Sequence, residues 1–412
     1  MPNSMHIEEY SSDALLDCFL NSRKYSTDLI KGLSPEDCQS QSMEDASPAK
    51  WHLAHVTWFY EVMVLKQFEQ NFRFWNPEFA VLFNSYYNGI GDKHPRNKRG
   101  LLTRPSLYEV LEWRSNIEER IAALLNDNPS PDLLWLIGLG VNHEQQHQEL
   151  LLTDIQHLFS QSSLLPVYST DINSKPTQLQ PMQWIEGVSG LVEVGFSGSE
   201  FHFDNEAPLH TTYLQPHLIC NQLINNKQWI SFIEDGGYQD SKWWLDAGWA
   251  WVTIEKAKAP LYWNYFENKN YQSFSLQGNR PIDLQSPVSN VSYFEADAFS
   301  RWASERLEGF SKARLPTEFE WESFAKYKPL ESDDLFGKVW QWTSSNYTPY
   351  PGYQPWAGVA GEYNGKFMVN QMVLRGSSSY TSPNHSRISY RNFFPTHTRW
   401  QMTGLRLAKD SV

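Results

Sequence analysis

Apolar residues in the first 160 positions return at steps of three and four. Leu107, Val110, Leu111, Ile117, Ile121 and Leu124 form one such stripe, the pattern of an amphipathic helix with one buried face. Similar periodicity predicts helices over 8–31, 48–70, 106–126 and 131–159. The punctuation agrees. Ser47-Pro48 and Ser130-Pro131 each set a capping hydroxyl before a first-turn proline, and proline is tolerated there because its missing N–H has no helical partner anyway. Ser106-Leu107-Tyr108-Glu109 has the spacing of a capping box. These four segments predict a helical bundle over 1–160. The connection of about 71–104 is too long to be a passive loop in a compact domain, which implies a function.

From Gln161 to Pro181 the periodicity gives way to Ser, Pro, Thr and Gln, so 161–185 reads as a linker. In 186–412, glycine, aromatic and turn residues dominate. Short helices are predicted at about 225–235, 293–307 and 317–326, among short strands and long loops. The expected fold class is α+β: a four-helix bundle followed by an irregular α+β domain.

Composition narrows the function. Of 412 residues, 41% are hydrophobic and 15% aromatic, with 18 tryptophans, enough to build two cores and to exclude a disordered chain. A net charge of −13 argues against nucleic-acid and anionic-membrane partners and leaves small molecules. No basic segment leading into an apolar run opens the chain, and no stretch has the uninterrupted apolar length of a membrane span, so the expected location is the cytoplasm. Cys18, Cys38 and Cys220 are scattered and suit neither a disulfide framework nor a zinc site.

The chemistry concentrates in histidines. In the fourth helix, His143-Glu144-Gln145-Gln146-His147 puts two imidazoles one turn apart on the stripe through Leu136, Leu139, Leu150 and Leu151, a spacing that suits one metal ion. A hydrogen-bonded core pair has the same spacing. His55 adds weight to the metal reading, because it lies on the inward stripe of the second helix with Trp51, Trp58, Phe59 and Val62. His52 falls about a quarter turn off that stripe, and His94 and His157 are weaker candidates. Three imidazoles with open positions suit iron, copper or zinc. Glu144 stands where HExxH proteases keep their base, but no third ligand or cleft of that type is evident; it is expected behind the ligands or at the surface.

The His52-Leu-Ala-His55 and His143-to-His147 segments resemble the DinB-like iron domain of the ergothioneine-biosynthesis sulfoxide synthases. Six later segments resemble the formylglycine-generating-enzyme (C-type-lectin-like) fold those synthases carry: Phe203-Asp-Asn-Glu206, Pro287-Val-Ser-Asn-Val-Ser292, Arg314-Leu-Pro-Thr-Glu-Phe-Glu-Trp321, Val339-Trp-Gln-Trp-Thr343, Leu374-Arg-Gly-Ser377 and Gly404-Leu-Arg406. A formylglycine-generating enzyme binds copper through cysteines late in this fold. Here the last cysteine is Cys220, so that chemistry has no ligands.

The resemblance implies iron(II) on His55, His143 and His147, and O2-dependent joining of a sulfur compound to the imidazole C2 of hercynine (N-alpha-trimethylhistidine), giving a sulfoxide. Cysteine is the implied donor, from the paired tyrosines and the Arg391-Asn-Phe-Phe-Pro395 segment. A selenosugar donor and a histidine acceptor joined at C5 remain open. By the same match Tyr86 and Tyr87 are candidates for proton or electron delivery. Asn392, Phe393 and Phe394 fall where the family holds its betaine, and an aromatic wall attracts a trimethylammonium group. Gln146 is a candidate for the imidazole side of the substrate. Arg96 is a candidate carboxylate clamp, as are Arg399 and Arg391, although Arg96 also fits a solvent-facing basic set with Lys93, Lys98 and Arg99. The rivals are a non-catalytic metal- and ligand-binding protein and a zinc-dependent thiol transferase.

Overall fold

The computed structural model describes residues 11–169, 181–266, 270–332 and 334–411. Four helices form the N-terminal bundle: α1 (Ser12–Asp28), α2 (Ala49–Phe59), α3 (Leu107–Asn126) and α4 (Pro131–Ser160). Residues 8–10 of the first predicted helix and 170–180 of the predicted linker lie outside the described residues. α2 continues through a π-helical turn, Tyr60–Leu65, into Lys66–Phe68. Every residue of α2 is buried, on the inward stripe and off it, because the helix packs against helices on more than one side.

Caps account for most helix starts. Ser130 accepts from the Leu133 N–H with Pro131 in the first turn, and Ser106 and Glu109 complete their box. Ser47 departs from expectation. Pro48 holds the N-cap position with no side-chain bond. The Ser47 N–H donates to Asp154 (2.8 Å), and its hydroxyl accepts from Arg99 Nη1 (2.9 Å). Tertiary partners have taken the cap.

Beyond the bundle, helices Asn226–Glu234, Tyr293–Arg306 and Glu318–Tyr327 each open on a capping box. Helix Asp246–Glu255 was not foreseen; no side chain caps its start, and its Trp249-Ala-Trp251-Val run has the aromatic, β-branched content of a strand. One four-stranded sheet runs Trp184–Glu186, His217–Leu223, Arg406–Asp410, Ala313–Arg314 in spatial order. A second runs Asn392–Pro395, Gln371–Gly376, Trp340–Asn346, Thr403–Gly404. Buried ion pairs lock helix Glu318–Tyr327 to the second sheet: Glu318 holds Arg375 (3.0 Å) and Arg391 (2.8 Å), and Glu322 holds Arg375 (2.7 Å). Charges so deep persist only because each is paired.

The polar face of α4 is where the two halves meet. The Glu149 carboxylate accepts from Trp340 Nε1 (2.8 Å), Ser378 Oγ (2.5 Å) and Thr381 Oγ1 (2.8 Å). Gln148 accepts from Ser382 (2.5 Å) and Gln156 from Tyr380 (2.5 Å). Buried polar groups without partners would be costly, so these pairs fix one arrangement of the second domain on the bundle. No described helix is long and apolar enough to cross a membrane.

Candidate metal centre

His55 enters from α2, and His143 and His147 enter from α4, which packs beside it. Their ring centroids form a near-equilateral triangle, 5.0 Å for His55–His143 and 4.7 Å for each of the other two sides. One ring nitrogen from each residue lies within 4.8 Å of the others. His55 Nε2 and both ring nitrogens of His143 are buried with no hydrogen-bond partner among the described residues. Unpartnered buried nitrogens are rare, and their convergence fits a metal ion bound by imidazole. Burial lowers the His143 pKa to about 3 and holds His55 and His147 well below the usual range, with His143 adding to the effect on both. The rings are therefore neutral at pH 7, as metal ligands must be.

The long connection after α2 orients His55. The Phe83 carbonyl lies 2.6 Å from His55 Nδ1. A carbonyl only accepts, so Nδ1 carries the proton and Nε2 turns its lone pair to the centre. Trp51 and Trp58 stack on either side of His55 at 4.7 and 5.5 Å. His52 is also buried, contrary to its position off the stripe. Its Nδ1 lies 2.9 Å from His147 Nδ1, and its Nε2 lies 2.9 Å from Asp154 Oδ2.

Glu144 is not at the surface. It points into the bundle, where it accepts from Arg23 (3.2 Å), Ser26 (2.6 Å) and Arg114. Burial alone would raise its pKa; Arg114, Arg23 and Ser26 instead hold it at about 2. One residue along a helix turns about 100°, which carries Glu144 off the ligand face. His157 bonds Ser42, and His94 bonds the Lys98 carbonyl.

The second domain supplies the roof. Tyr363 sits edge-on to His143 with centroids 5.7 Å apart, stacks on Phe203 at 5.3 Å, and donates its hydroxyl to Gln146 Oε1. Gln146 Nε2 donates to the Tyr390 hydroxyl at 2.6 Å. Both ends of the Gln146 amide are thus engaged by tyrosines. Tyr363 was missed by sequence reasoning, because it follows an irregular Gly-rich turn with no periodicity or motif to single it out.

Tyr87 is fully buried and stacks on Trp58 at 5.5 Å; Tyr86 stacks on Tyr87 at 4.5 Å, with their hydroxyls 3.3 Å apart. Burial raises both phenols' pKa, so both keep their protons at pH 7. Tyr86 meets Phe367 edge-on at 5.3 Å, and Phe367, Phe393 and Tyr347 continue as a stack, with Phe393–Tyr347 at 4.0 Å. Asn392, Phe393 and Phe394 are all half-buried. Asn392 Oδ1 accepts from the Phe393 N–H, and Phe394 packs against the core.

The arginines sort differently from expectation. Arg96 is exposed and turned to Asp45. Arg99, three residues on, is buried with its guanidinium 3.4 Å from the Trp51 ring centroid, bonded to Ser47 and Ser85 (3.0 Å). No ion pair among the described residues includes it, and its Nε has no partner. Burial lowers its pKa to about 9, which leaves it cationic at pH 7. Arg399 is held by the Ala259 carbonyl (3.1 Å), Glu295 (3.5 Å) and the Trp251 face. Arg391 is committed to Glu318.

A helical bundle that gathers three imidazoles under a roof from an α+β domain defines a two-domain protein with a candidate metal centre at the junction. The chain belongs to the sulfatase-modifying factor enzyme 1-like domain family, matched over 168–327 and 323–411, and carries a DinB superfamily region over 19–151. It is 26% identical over 88% of its length to a hercynine oxygenase of Mycolicibacterium thermoresistibile, covering 87% of that protein. It is 28% identical, again over 88% of its length, to a hercynine oxygenase of Mycobacterium tuberculosis, covering 91% of that one. A formylglycine-generating enzyme of Thermomonospora curvata is 26% identical over 39% of the chain and 54% of its own length. The domain pairing expected from the motifs is borne out, and the chain is an oxidoreductase enzyme.

Proposed function

We propose that the protein is a hercynine oxygenase of the sulfoxide-synthase type, acting in ergothioneine biosynthesis with iron(II) on His55, His143 and His147 and cysteine as sulfur donor. The observation that carries the reading is the convergence of three neutral imidazoles, two buried and one half-buried, beneath an aromatic roof, in a chain similar to hercynine oxygenases over most of its length. Iron(II), when bound, supplies oxygen activation and an anchor for the sulfur.

The protein's own residues do the rest. Phe83 and the two flanking indoles hold His55 in one orientation. Tyr363, Gln146 and Tyr390 close the side facing the second domain and exclude water. The Tyr86–Tyr87 pair holds phenolic protons for the site, since burial keeps both hydroxyls protonated. The half-buried Phe393 and Phe367 rings would meet a trimethylammonium group, a good contact contributing roughly 0.5–2 kcal/mol, while Tyr347, buried between Phe393 and Arg391, backs them. Arg99, a buried cation with no carboxylate partner, is the best-placed clamp for a substrate carboxylate and replaces Arg96 in that role.

The test is aerobic incubation of iron(II)-loaded protein with hercynine or histidine and with cysteine, gamma-glutamylcysteine or a selenosugar, the products being identified by mass. A hercynyl-cysteine sulfoxide, with O2 uptake that needs both partners, is expected. Uptake that needs neither, or no coupled product with any donor, would overturn the proposal in favour of a non-catalytic binding protein.

A further inference from the structure

Resting on the reading of the three histidines as a metal centre, we infer that His52 and Asp154 are positioning residues that decide which nitrogen His147 turns to the metal. The hydrogen-bond directions can be worked out from the far end. Asp154 Oδ2 lies 2.9 Å from His52 Nε2 and also receives the Ser47 N–H at 2.8 Å. A carboxylate only accepts, so His52 Nε2 carries the proton. A protonated His52 would donate from Nδ1 as well and push the His147 proton onto Nε2, where a metal ligand cannot carry it, so ligation requires the neutral His52 ring with Nδ1 as a bare acceptor. His147 Nδ1, 2.9 Å away, must then be the donor. That leaves His147 Nε2 bare, as a ligand to the centre shared with His55 and His143 needs.

The three ligands are therefore held in three ways. His55 is tied to a backbone carbonyl and His147 to a carboxylate through a second imidazole. His143 is wedged between Phe59 (4.8 Å) and Tyr363, with neither nitrogen bonded. The relay draws on both helices: His52 stands one turn before His55 on α2, and Asp154 two turns after His147 on α4. It sets the ring's angle and tautomer, and the carboxylate at its end makes His147 a stronger electron donor than His143. His52 and Asp154 are buried, 3% and 7% exposed, so water does not compete for these bonds.

The experiment uses cobalt(II) alone as the probe, added without oxygen to the full chain. Affinity comes from titration of the cobalt absorption bands, and ligand state from the solvent-exchangeable, hyperfine-shifted imidazole N–H signals in proton NMR. Wild type should show a ring N–H signal from each of the three ligands, those of His55 and His147 set apart as the two that are tied by a hydrogen bond. His52→Leu should bind cobalt about 10–100-fold more weakly, the range for loss of an outer hydrogen-bond partner, and should lose one of the two signals. His52→Gln, whose amide oxygen can accept from His147, should recover most of the affinity and that signal. Asp154→Asn, the second variant should His52→Leu fail to fold, should also weaken binding and shift the same signal alone. Unchanged affinity with both signals intact in the folded His52→Leu or Asp154→Asn protein would overturn the relay. If wild type binds no cobalt, or binds it no differently from His143→Ala, the metal reading itself falls.

Discussion

Glu144 and His143 are neighbours in sequence and face opposite surroundings. His143 has no hydrogen-bond partner on either ring nitrogen, while Glu144 is fully bonded to Arg23, Arg114 and Ser26 inside the bundle. One helix thus presents an unsatisfied face to the candidate site and a saturated face to the core, and substitutions on the two faces should differ in kind.

Replacing His143 or His55 with alanine should abolish one-to-one binding of iron(II) or cobalt(II) while leaving a folded protein, because these nitrogens make few or no protein contacts to lose. Equilibrium dialysis beside a thermal melt checks both halves. Retention of full metal binding in either variant would refute the assignment.

Glu144→Gln should instead destabilise the fold by about 1.5–3 kcal/mol, since it leaves the buried Arg23 and Arg114 guanidiniums sharing the partly exposed Glu118 as their one carboxylate. The pKa of about 2 lies below the ordinary value of 4.5, so this contribution is complete above about pH 4.5 and is lost as pH falls toward 2. The stability gap between wild type and variant, measured by urea unfolding, should narrow over that interval.

Glu149→Ala removes the acceptor for Trp340, Ser378 and Thr381 together. Stranding buried donors costs about 1–3 kcal/mol each. Amide hydrogen exchange should accelerate along α4 and around 378–381, with the bundle core still protected. Unchanged exchange there would show that this contact does not hold the halves together.

Arg99→Leu should raise KM for a carboxylate-bearing substrate by about 10–100-fold, the equivalent of a charge-assisted hydrogen bond of about 1.5–3 kcal/mol. Arg96→Ala should change it little, because Arg96 faces solvent and Asp45. The opposite order in steady-state kinetics would return the clamp to Arg96.

Tyr86→Phe and Tyr87→Phe keep the aromatic stack and delete one hydroxyl each. If the pair delivers a proton, at least one variant should lose about 100-fold or more in kcat with KM nearly unchanged. No inflection from phenol ionisation should appear below pH 10 in wild type, because burial raises both pKa values.

Much of this architecture was legible in the chain. The stripe through Leu107, Val110 and Ile117 gave α3, capping residues at Ser106 and Ser130 gave helix starts, and inward histidines at 55, 143 and 147 gave the cluster. These features depend on local spacing, and local spacing is written in sequence because helix geometry repeats every 3.6 residues.

The rest was decided by tertiary contact. Whether Arg96 or Arg99 turned inward, whether Ser47 capped a helix or served Asp154 and Arg99, and whether His52 idled or bonded His147 depended on partners up to 107 residues away. Tyr363 reached the histidines from an irregular turn with no period to betray it. The sequence by itself determined which side chains could bind a metal. Only the folded structure determined which lone pairs were left free to do so, because a buried donor or acceptor takes whatever partner the packing brings within reach.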